Sequence, residues 1–192
     1  MKHLLWLGIS ICLSASLFAQ EFTLGSKVPD FSLQDTKGNA VQTAKLSGDV
    51  TVIMFIATKC PISNDYNERM KAVYNDYAGK GVKFIAINSN HIEPAAEVEE
   101  HTSSHQFLFK VYKDNDNVVA DRFGAQVTPE IFVLDKTRTI RYHGYIDDSR
   151  DATKITTQGL RLALDAVLAG KTVEKAETKA FGCTIKRVKK TS

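Results

Sequence analysis

The feature of the sequence that most constrains the fold is an unbroken apolar stretch that runs directly into a helical pattern. Residues 51–57 are almost entirely apolar and lack the alternation that a strand with one solvated face shows. Such a stretch is typical of a central strand that is buried on both faces of a parallel or mixed sheet. The helical pattern follows at once, after Cys60 and Pro61. The chain therefore places a cysteine where a buried strand turns into a helix.

The position of Cys60 favours redox chemistry. The first turn of a helix offers unpaired backbone N–H groups and the positive end of the helix dipole, and both stabilise a thiolate. The thiolate is the form that attacks disulfides and peroxides. Pro61 suits the first helical position because its missing N–H costs nothing there, and Lys59 adds a nearby cation. We expect Cys60 to be a nucleophile that deprotonates below the ~8.5 of an ordinary thiol. A buried cysteine that acts only as a small hydrophobe is the alternative.

The first residues have the composition of a secretion signal. Lys2 and His3 form a short basic start, and residues 4–18 are almost uninterruptedly apolar. The apolar stretch is too short to be a good membrane-spanning helix, so we expect a signal peptide over 1–19 that is cleaved after Ala19. The protein would then be exported, to the periplasm if the source is bacterial. An uncleaved N-terminal anchor is the alternative.

Export changes the interpretation of the cysteines. The sequence has three, and Cys12 would be removed with the signal peptide, which leaves Cys60 and Cys183. Two thiols in an oxidising compartment are more often partners than bystanders. A disulfide between Cys60 and Cys183 is therefore a candidate.

The charge pattern gives no sign of a nucleic acid partner. The 25 basic and 22 acidic residues nearly balance, and the one basic cluster, residues 186–190, has no interleaved aromatic residue. We interpret this cluster as part of a solvated tail. We expect no nucleic acid partner and no stable membrane insertion after removal of the signal.

The remaining patterns predict strands and helices in an informative order. The expected elements are a hairpin over 28–41, strands over 51–57 and 82–88 with a helix between them, a helix over 94–106, a short strand over 107–112, helical turns over 117–123, antiparallel strands over 130–135 and 139–145, and a helix over 158–169. A parallel β-α-β half followed by an antiparallel β-β-α half is the thioredoxin arrangement. The fold class is therefore α/β, with a central mixed sheet flanked by helices on both faces. The domain would span 20–170, and a C-terminal tail over 171–192 would carry Cys183.

Six motifs occur together in an order and spacing that are specific as a set. They lie at residues 28–33, 58–66, 86–90, 127–130, 142–148 and 182–186. With them the sequence resembles an exported member of the peroxiredoxin-like branch of the thioredoxin superfamily, the redoxin group that includes alkyl hydroperoxide reductase and thiol-specific antioxidant proteins. The resemblance implies that Thr128 and Pro129 form a cis-proline loop facing Cys60, where the backbone of Thr128 would meet a substrate disulfide. It also implies a protein or small-molecule disulfide, thiol or hydroperoxide as substrate, an external thiol reductant and no cofactor.

The chain departs from that group at two places. Ser63 stands where thioredoxins have the second cysteine of Cys-x-x-Cys, so Cys60 has no local partner. Peroxiredoxins have a threonine three residues before the reactive cysteine and a proline seven before it, and here those positions hold Ala57 and Ile53. We therefore expect a thiol–disulfide oxidoreductase, with a thiol peroxidase as the alternative.

Cys183 is the one remaining candidate to resolve an adduct on Cys60. The bridge would close a loop of 124 residues, which is worth about 5 kcal/mol in the chain-entropy model. A permanent structural staple between the tail and the domain is the alternative.

A metal site is a rival of another class. His101 and His105 are four residues apart on an expected helix and so share a face. Copper-delivery proteins with this fold pair two nearby cysteines with a histidine, but Ser63 removes that option, and we expect no metal. The third possibility is a redox-inactive binding module, which the presence of both the Cys-Pro and the Thr-Pro pair disfavours.

Overall fold

A single mixed sheet organises the protein. The structure is a computed structural model that describes residues 21–189, so the predicted signal peptide lies outside the described residues. The strands are β1 (Ser32–Gln34), β2 (Ala40–Gln42), β3 (Val50–Phe55), β4 (Val82–Asn88), β5 (Val111–Lys113), β6 (Val127–Thr128), β7 (Glu130–Leu134), β8 (Ile140–Gly144) and β9 (Cys183–Thr184). The helices are α1 (Pro61–Asp65), α2 (Asn67–Tyr77), α3 (Ala95–Ser104), α4 (Val118–Phe123) and α5 (Gly159–Leu168). Within the described residues, seven strands form one sheet in the order β2-β1-β5-β4-β3-β7-β8, and β6 pairs with β9.

The apolar strand lies at the centre of this sheet, as predicted. All six residues of β3 are buried, and the strand runs parallel to β4 and antiparallel to β7. Val52 and Met54 point into a core shared with α2 and α5, whereas Ile53 and Phe55 point into a core shared with α4. Because both faces of β3 are covered, the strand needs no polar alternation. The predicted fold class, a mixed sheet with helices on both faces, is confirmed.

The strand predicted over 107–112 begins later than its pattern indicates. It starts only at Val111, because Phe107 and Phe109 stack on each other with ring centroids 4.6 Å apart and pack into the core that contains α2. Two aromatic residues at alternate positions resemble a strand in sequence. Here the stacking of their rings decides the local structure.

The described part of the C-terminal segment, residues 171–189, packs against the domain. Thr178 donates its backbone N–H to the carbonyl of His143 at the sheet edge, over 2.9 Å. Val173 is buried in one core and Ile185 in the other. The segment therefore crosses from one face of the sheet to the other, past the end of β3. Among residues 21–189, no helix has the length and apolar character needed to cross a membrane.

Candidate active site

The site forms at the carboxyl ends of the parallel strands β3 and β4. β3 and β4 are parallel, so the loops that follow them leave the sheet on the same side, where ligand sites of open α/β sheets commonly form. β7 is antiparallel to β3 and therefore begins on that side. The topology thus brings together the loop with Cys60, the polar loop after Asn88 and the Thr128-Pro129 pair.

Cys60 is held where the strand becomes a helix. It is the N-cap of α1, its Sγ accepts a hydrogen bond from the Ser63 N–H over 3.3 Å, and Pro61 is the first helical residue. Ser63 is fully buried, and its Oγ accepts the N–H of Ala57 over 3.1 Å. Ser63 therefore ties the end of the strand to the start of the helix, so it supports the cysteine loop without reacting itself.

Cys60 and Cys183 form a disulfide in the structure. Their Cα atoms are 5.8 Å apart, although 123 positions separate them in the sequence. The Thr128–Pro129 peptide bond is cis, and the Thr128 carbonyl oxygen lies 3.5 Å from Cys60 Sγ. The two predicted cysteines and the predicted proline loop are therefore in one place. Cys60 is only 5% exposed, and Cys183 is partly exposed.

The side chain of Lys59, which was expected to add a cation near Cys60, pairs with a carboxylate of α3. Its ammonium group lies 2.7 Å from the carboxylate of Glu97 and donates to the carbonyl of Ile92 over 3.3 Å. Both side chains of the ion pair are about half exposed, so solvent screens the pair. Glu97 therefore balances part of the Lys59 charge, while the N–H donor observed at Cys60 Sγ is that of Ser63.

A buried carboxylate that sequence reasoning missed positions the cysteine loop. Glu93 is 2% exposed, and its oxygens accept the N–H groups of Thr58 and Lys59 over 2.9 and 3.0 Å. The side-chain amides of Asn88 and Asn90 donate to the same carboxylate. Burial alone would raise the pKa of Glu93, but these hydrogen bonds outweigh it and lower the pKa. The carboxylate therefore stays ionised and fixes the two residues that precede Cys60.

A buried lysine completes the network around Glu93. Lys113 Nζ donates to Asn88 Oδ1 over 2.6 Å, to the Glu93 carbonyl over 2.7 Å and to the Asn90 carbonyl over 3.1 Å. Burial lowers the pKa of Lys113, and the nearby Glu93 charge opposes that change. The only sequence signal for this network was the Asn-Ser-Asn motif at 88–90, which the resemblance included without a role.

The same polar loop also holds the C-terminal segment. Asn90 Oδ1 accepts the N–H of Lys186 over 2.6 Å, and His91 donates its N–H to the Lys186 carbonyl over 2.9 Å. Further along, the N–H of Val188 donates to Asn117 Oδ1 over 2.8 Å. The loop that follows β4 therefore holds the residues before Cys60 through Glu93, and the segment after Cys183 through Asn90 and His91.

The cis-proline loop rests on a second buried carboxylate. Glu130 accepts the N–H groups of Gln126 and Val127 over 2.7 and 3.0 Å, and its other oxygen lies 2.7 Å from His143 Nε2. The His143 ring stacks on Phe132 with centroids 4.2 Å apart. Glu130 therefore supports the loop through these hydrogen bonds.

The two helical histidines face each other, but their nitrogen atoms are partly engaged. Their rings stack at 4.2 Å, His101 Nε2 bonds to Asn64 Oδ1 over 2.9 Å, and His105 Nδ1 lies 3.0 Å from the His101 carbonyl oxygen. Burial, with the neighbouring His105, lowers the pKa of His101. Residues 21–189 contain no group of three or more His, Cys, Asp or Glu side chains arranged to hold a metal ion.

Comparison with known proteins connects this geometry to a family. Residues 24–143 match the AhpC/TSA family. The chain is 25% identical over 134 residues to the thiol-disulfide oxidoreductase ResA of Halalkalibacterium halodurans, an alignment that covers 67% of this chain and 75% of that protein.

Two solved structures match over almost their whole length. A hypothetical protein from Sinorhizobium meliloti 1021 is 34% identical with a TM-score of 0.80, and the match covers 88% of this chain and 97% of that one. An uncharacterized conserved protein from Geobacillus kaustophilus is 32% identical with a TM-score of 0.82, over 88% and 95% of the two chains. Both matches extend well beyond the region that the family match covers.

Proposed function

Because the chain belongs to the AhpC/TSA family of oxidoreductases, we propose that it is an exported thiol–disulfide oxidoreductase with Cys60 as nucleophile and Cys183 as resolving cysteine. The observation that carries this proposal is the Cys60–Cys183 disulfide beside the cis Thr128–Pro129 peptide bond. Ser63 leaves the helix without a second thiol, so the resolving sulfur has to come from elsewhere in the chain.

The reaction is a pair of thiolate exchanges. The Cys60 thiolate attacks one sulfur of a substrate disulfide, which forms a mixed disulfide and releases the first substrate thiolate. The Cys183 thiolate then attacks Cys60 Sγ, which forms the Cys60–Cys183 disulfide and releases the second substrate thiolate. The substrate gains two electrons and the protein loses two. An external thiol reductant restores the two free cysteines.

Two features of the site suit Cys60 to the first step. Its sulfur accepts the Ser63 N–H, and an N–H donor favours a thiolate over a thiol. Glu93 holds the backbone of the two preceding residues, and the sulfur lies beside the Thr128 carbonyl. We propose that Lys59 has no direct part in the reaction, since Glu97 holds its charge.

The test of this function is a comparison of three proteins that lack residues 1–19. Reduced wild-type protein should reduce 2-hydroxyethyl disulfide with dithiothreitol as electron donor. Cys60→Ser should be inactive, and Cys183→Ser should accumulate a mixed disulfide on Cys60, which intact mass spectrometry detects. A Cys60–Cys183 bond that resists millimolar dithiothreitol in the folded protein would instead identify a structural staple.

Peroxide reduction is the less favoured activity. Ala57 and Ile53, which replace the threonine and proline of peroxiredoxins, are buried and offer no hydroxyl group. We expect stopped-flow oxidation by hydrogen peroxide at the rate of a simple thiolate. A rate several orders of magnitude faster, abolished by Cys60→Ser, would reverse this ranking.

Export rests on the N-terminal sequence and on the oxidised cysteine pair. Disulfides persist in oxidising compartments, where the chain would lack residues 1–19. N-terminal sequencing of the protein from cell fractions tests this, with Gln20 expected as the first residue. Full-length protein in the cytosolic fraction would contradict it.

A further inference from the structure

The chain's own C-terminal strand occupies the backbone edge of the cis-proline loop. β9 pairs antiparallel with β6, with Cys183 opposite Thr128 and Thr184 opposite Val127. The ladder continues with the N–H of Ile185, which donates to the Gln126 carbonyl over 2.9 Å. A strand edge is where an extended peptide adds by main-chain hydrogen bonds. Here the chain supplies that peptide itself.

Gly182 shows how closely the strand is pressed onto the loop. A Cβ atom on Gly182 would lie 2.0 Å from the Thr128 carbonyl oxygen and 2.6 Å from its carbonyl carbon. Both are backbone atoms of the cis-proline loop, so a side chain cannot be accommodated by rotation. The backbone of Gly182 is not in the left-handed region, so lack of space is the reason for glycine here. A side chain at position 182 would therefore clash only while β9 is docked on the loop.

With the strand in place, an external polypeptide cannot reach the sulfur along this edge. Cys60 is 5% exposed, and its sulfur lies beside the Thr128 carbonyl that β9 also approaches. The loop has one antiparallel edge and one sulfur behind it, so β9 and a partner strand cannot occupy it at the same time.

From this arrangement we infer that residues 182–185 compete with the substrate for the Val127–Thr128 edge, so that a cysteine-containing segment of a partner protein pairs with the loop only after β9 has left it. The inference rests on the proposed function. When Cys60 attacks the partner disulfide, the partner segment pairs with the loop and β9 is displaced. When the Cys183 thiolate attacks Cys60 Sγ, the partner thiolate leaves, and β9 returns to the edge that the partner segment occupied. Resolution of the mixed disulfide and release of the partner are then one event.

The test uses full-length mature protein that carries Cys183→Ser, so that Cys60 is the one remaining thiol. Its substrate is a synthetic peptide of residues 179–188, activated as a mixed disulfide with thionitrobenzoate. Attack of the Cys60 thiolate joins the peptide to Cys60 and releases thionitrobenzoate, whose absorbance gives the rate. A second peptide is identical but N-methylated at the position of Ile185, so it cannot donate the hydrogen bond to Gln126.

The added substitution Gly182→Ala should raise the rate with the first peptide about tenfold, because the tail no longer fits the edge while the peptide retains its glycine. In that variant the N-methylated peptide should react about threefold to tenfold more slowly than the first. Gly79→Ala is the matched control, since a Cβ there meets no atom within 4 Å, and it should leave both rates unchanged.

Equal rates for the two peptides in the Gly182→Ala variant would overturn the inference, because the tail would then only shield the sulfur. An unchanged rate on Gly182→Ala would also overturn it. Failure of Cys60 to react with either peptide and with 2-hydroxyethyl disulfide would instead overturn the proposed function.

A second measurement needs no change at Gly182. In wild-type protein, reduction of the disulfide should lower the hydrogen-exchange protection of the Ile185 amide, while the amides of β7 at the sheet centre keep theirs. Unchanged protection of Ile185 on reduction would contradict the exchange of strands.

Discussion

Replacement of Glu93 by glutamine should be among the most destabilising single changes near the site. The Glu93 carboxylate accepts four N–H groups, two from the backbone of Thr58 and Lys59 and two from asparagine side chains. Glutamine has nearly the same shape but presents one NH2 group in place of an oxygen. At least two of the four donors would then face another donor in a site that is 2% exposed.

The magnitude follows from the two lost acceptors. A hydrogen bond to a charged group contributes about 1.5–3 kcal/mol, so the loss of two should lower the free energy of unfolding by about 3 kcal/mol or more. Lys113 also loses a compensating charge in a buried position. The matched control is Glu97→Gln, because Glu97 carries the same group on an exposed ion pair with Lys59. That change should cost less than about 1 kcal/mol.

Urea unfolding of both variants, oxidised and with dithiothreitol, measures these costs. The Glu93→Gln effect should persist in the reduced protein, because its hydrogen bonds do not include a cysteine side chain. Equal destabilisation by the two substitutions would show that the negative charge alone, and not the hydrogen bonds that the Glu93 carboxylate accepts, holds the loop.

The pH dependence gives an independent check. The hydrogen bonds lower the pKa of folded Glu93 below that of the unfolded chain. A group of this kind stabilises the fold at pH values above its unfolded pKa, and this contribution is lost as the pH falls through the folded pKa. The stability difference between wild type and Glu93→Gln should therefore be constant near neutral pH and shrink in acid below about pH 4. A difference that grows in acid would contradict the assigned direction.

Three further predictions concern the site. Cys183→Ser should have a free energy of unfolding up to about 5 kcal/mol lower than that of oxidised wild type, as expected for a loop of this length. Reduced wild type, which also lacks the bridge, is the control. Equal values for the variant and oxidised wild type in urea unfolding would show that the bridge constrains the unfolded chain little. Lys59→Met should leave the pH midpoint of Cys60 alkylation by iodoacetamide unchanged, because Glu97 holds the lysine; a clear upward displacement would restore Lys59 as an activating cation. Ser63→Ala should destabilise the fold by about 1–3 kcal/mol, since the buried N–H of Ala57 loses its acceptor; a neutral change in thermal unfolding would mean that another group accepts it.

Local pattern was enough to predict the centre of the molecule. The continuous apolar run of β3 required burial on both faces, and Pro61 marked the start of the helix behind it. These features depend on residues that are neighbours in the chain, where periodicity of two or 3.6 reports directly on which face is buried. The cis bond before Pro129 was predicted by resemblance, because no local pattern distinguishes it from a trans bond.

The local sequence pattern missed two contacts that depend on how side chains pack. Phe107 and Phe109 alternate like strand residues but stack on each other instead. Lys59 is adjacent to Cys60 in sequence, yet its ammonium group pairs with Glu97 of α3. Neither outcome can be read from local periodicity, because each depends on contacts made in the folded chain.

Local sequence was sufficient to predict a cysteine at the end of a central strand, and it left Cys183 as the candidate partner of that cysteine. The folded chain shows in addition that Cys183 reaches Cys60, that Gly182 is pressed against Thr128, and that the buried carboxylate of Glu93 holds the cysteine loop. The difference follows from the separation along the chain of the residues in contact. Periodicity records the contacts of one element with its surroundings, whereas these contacts join segments far apart in the chain, and their geometry exists only once the sheet has set the positions of its loops.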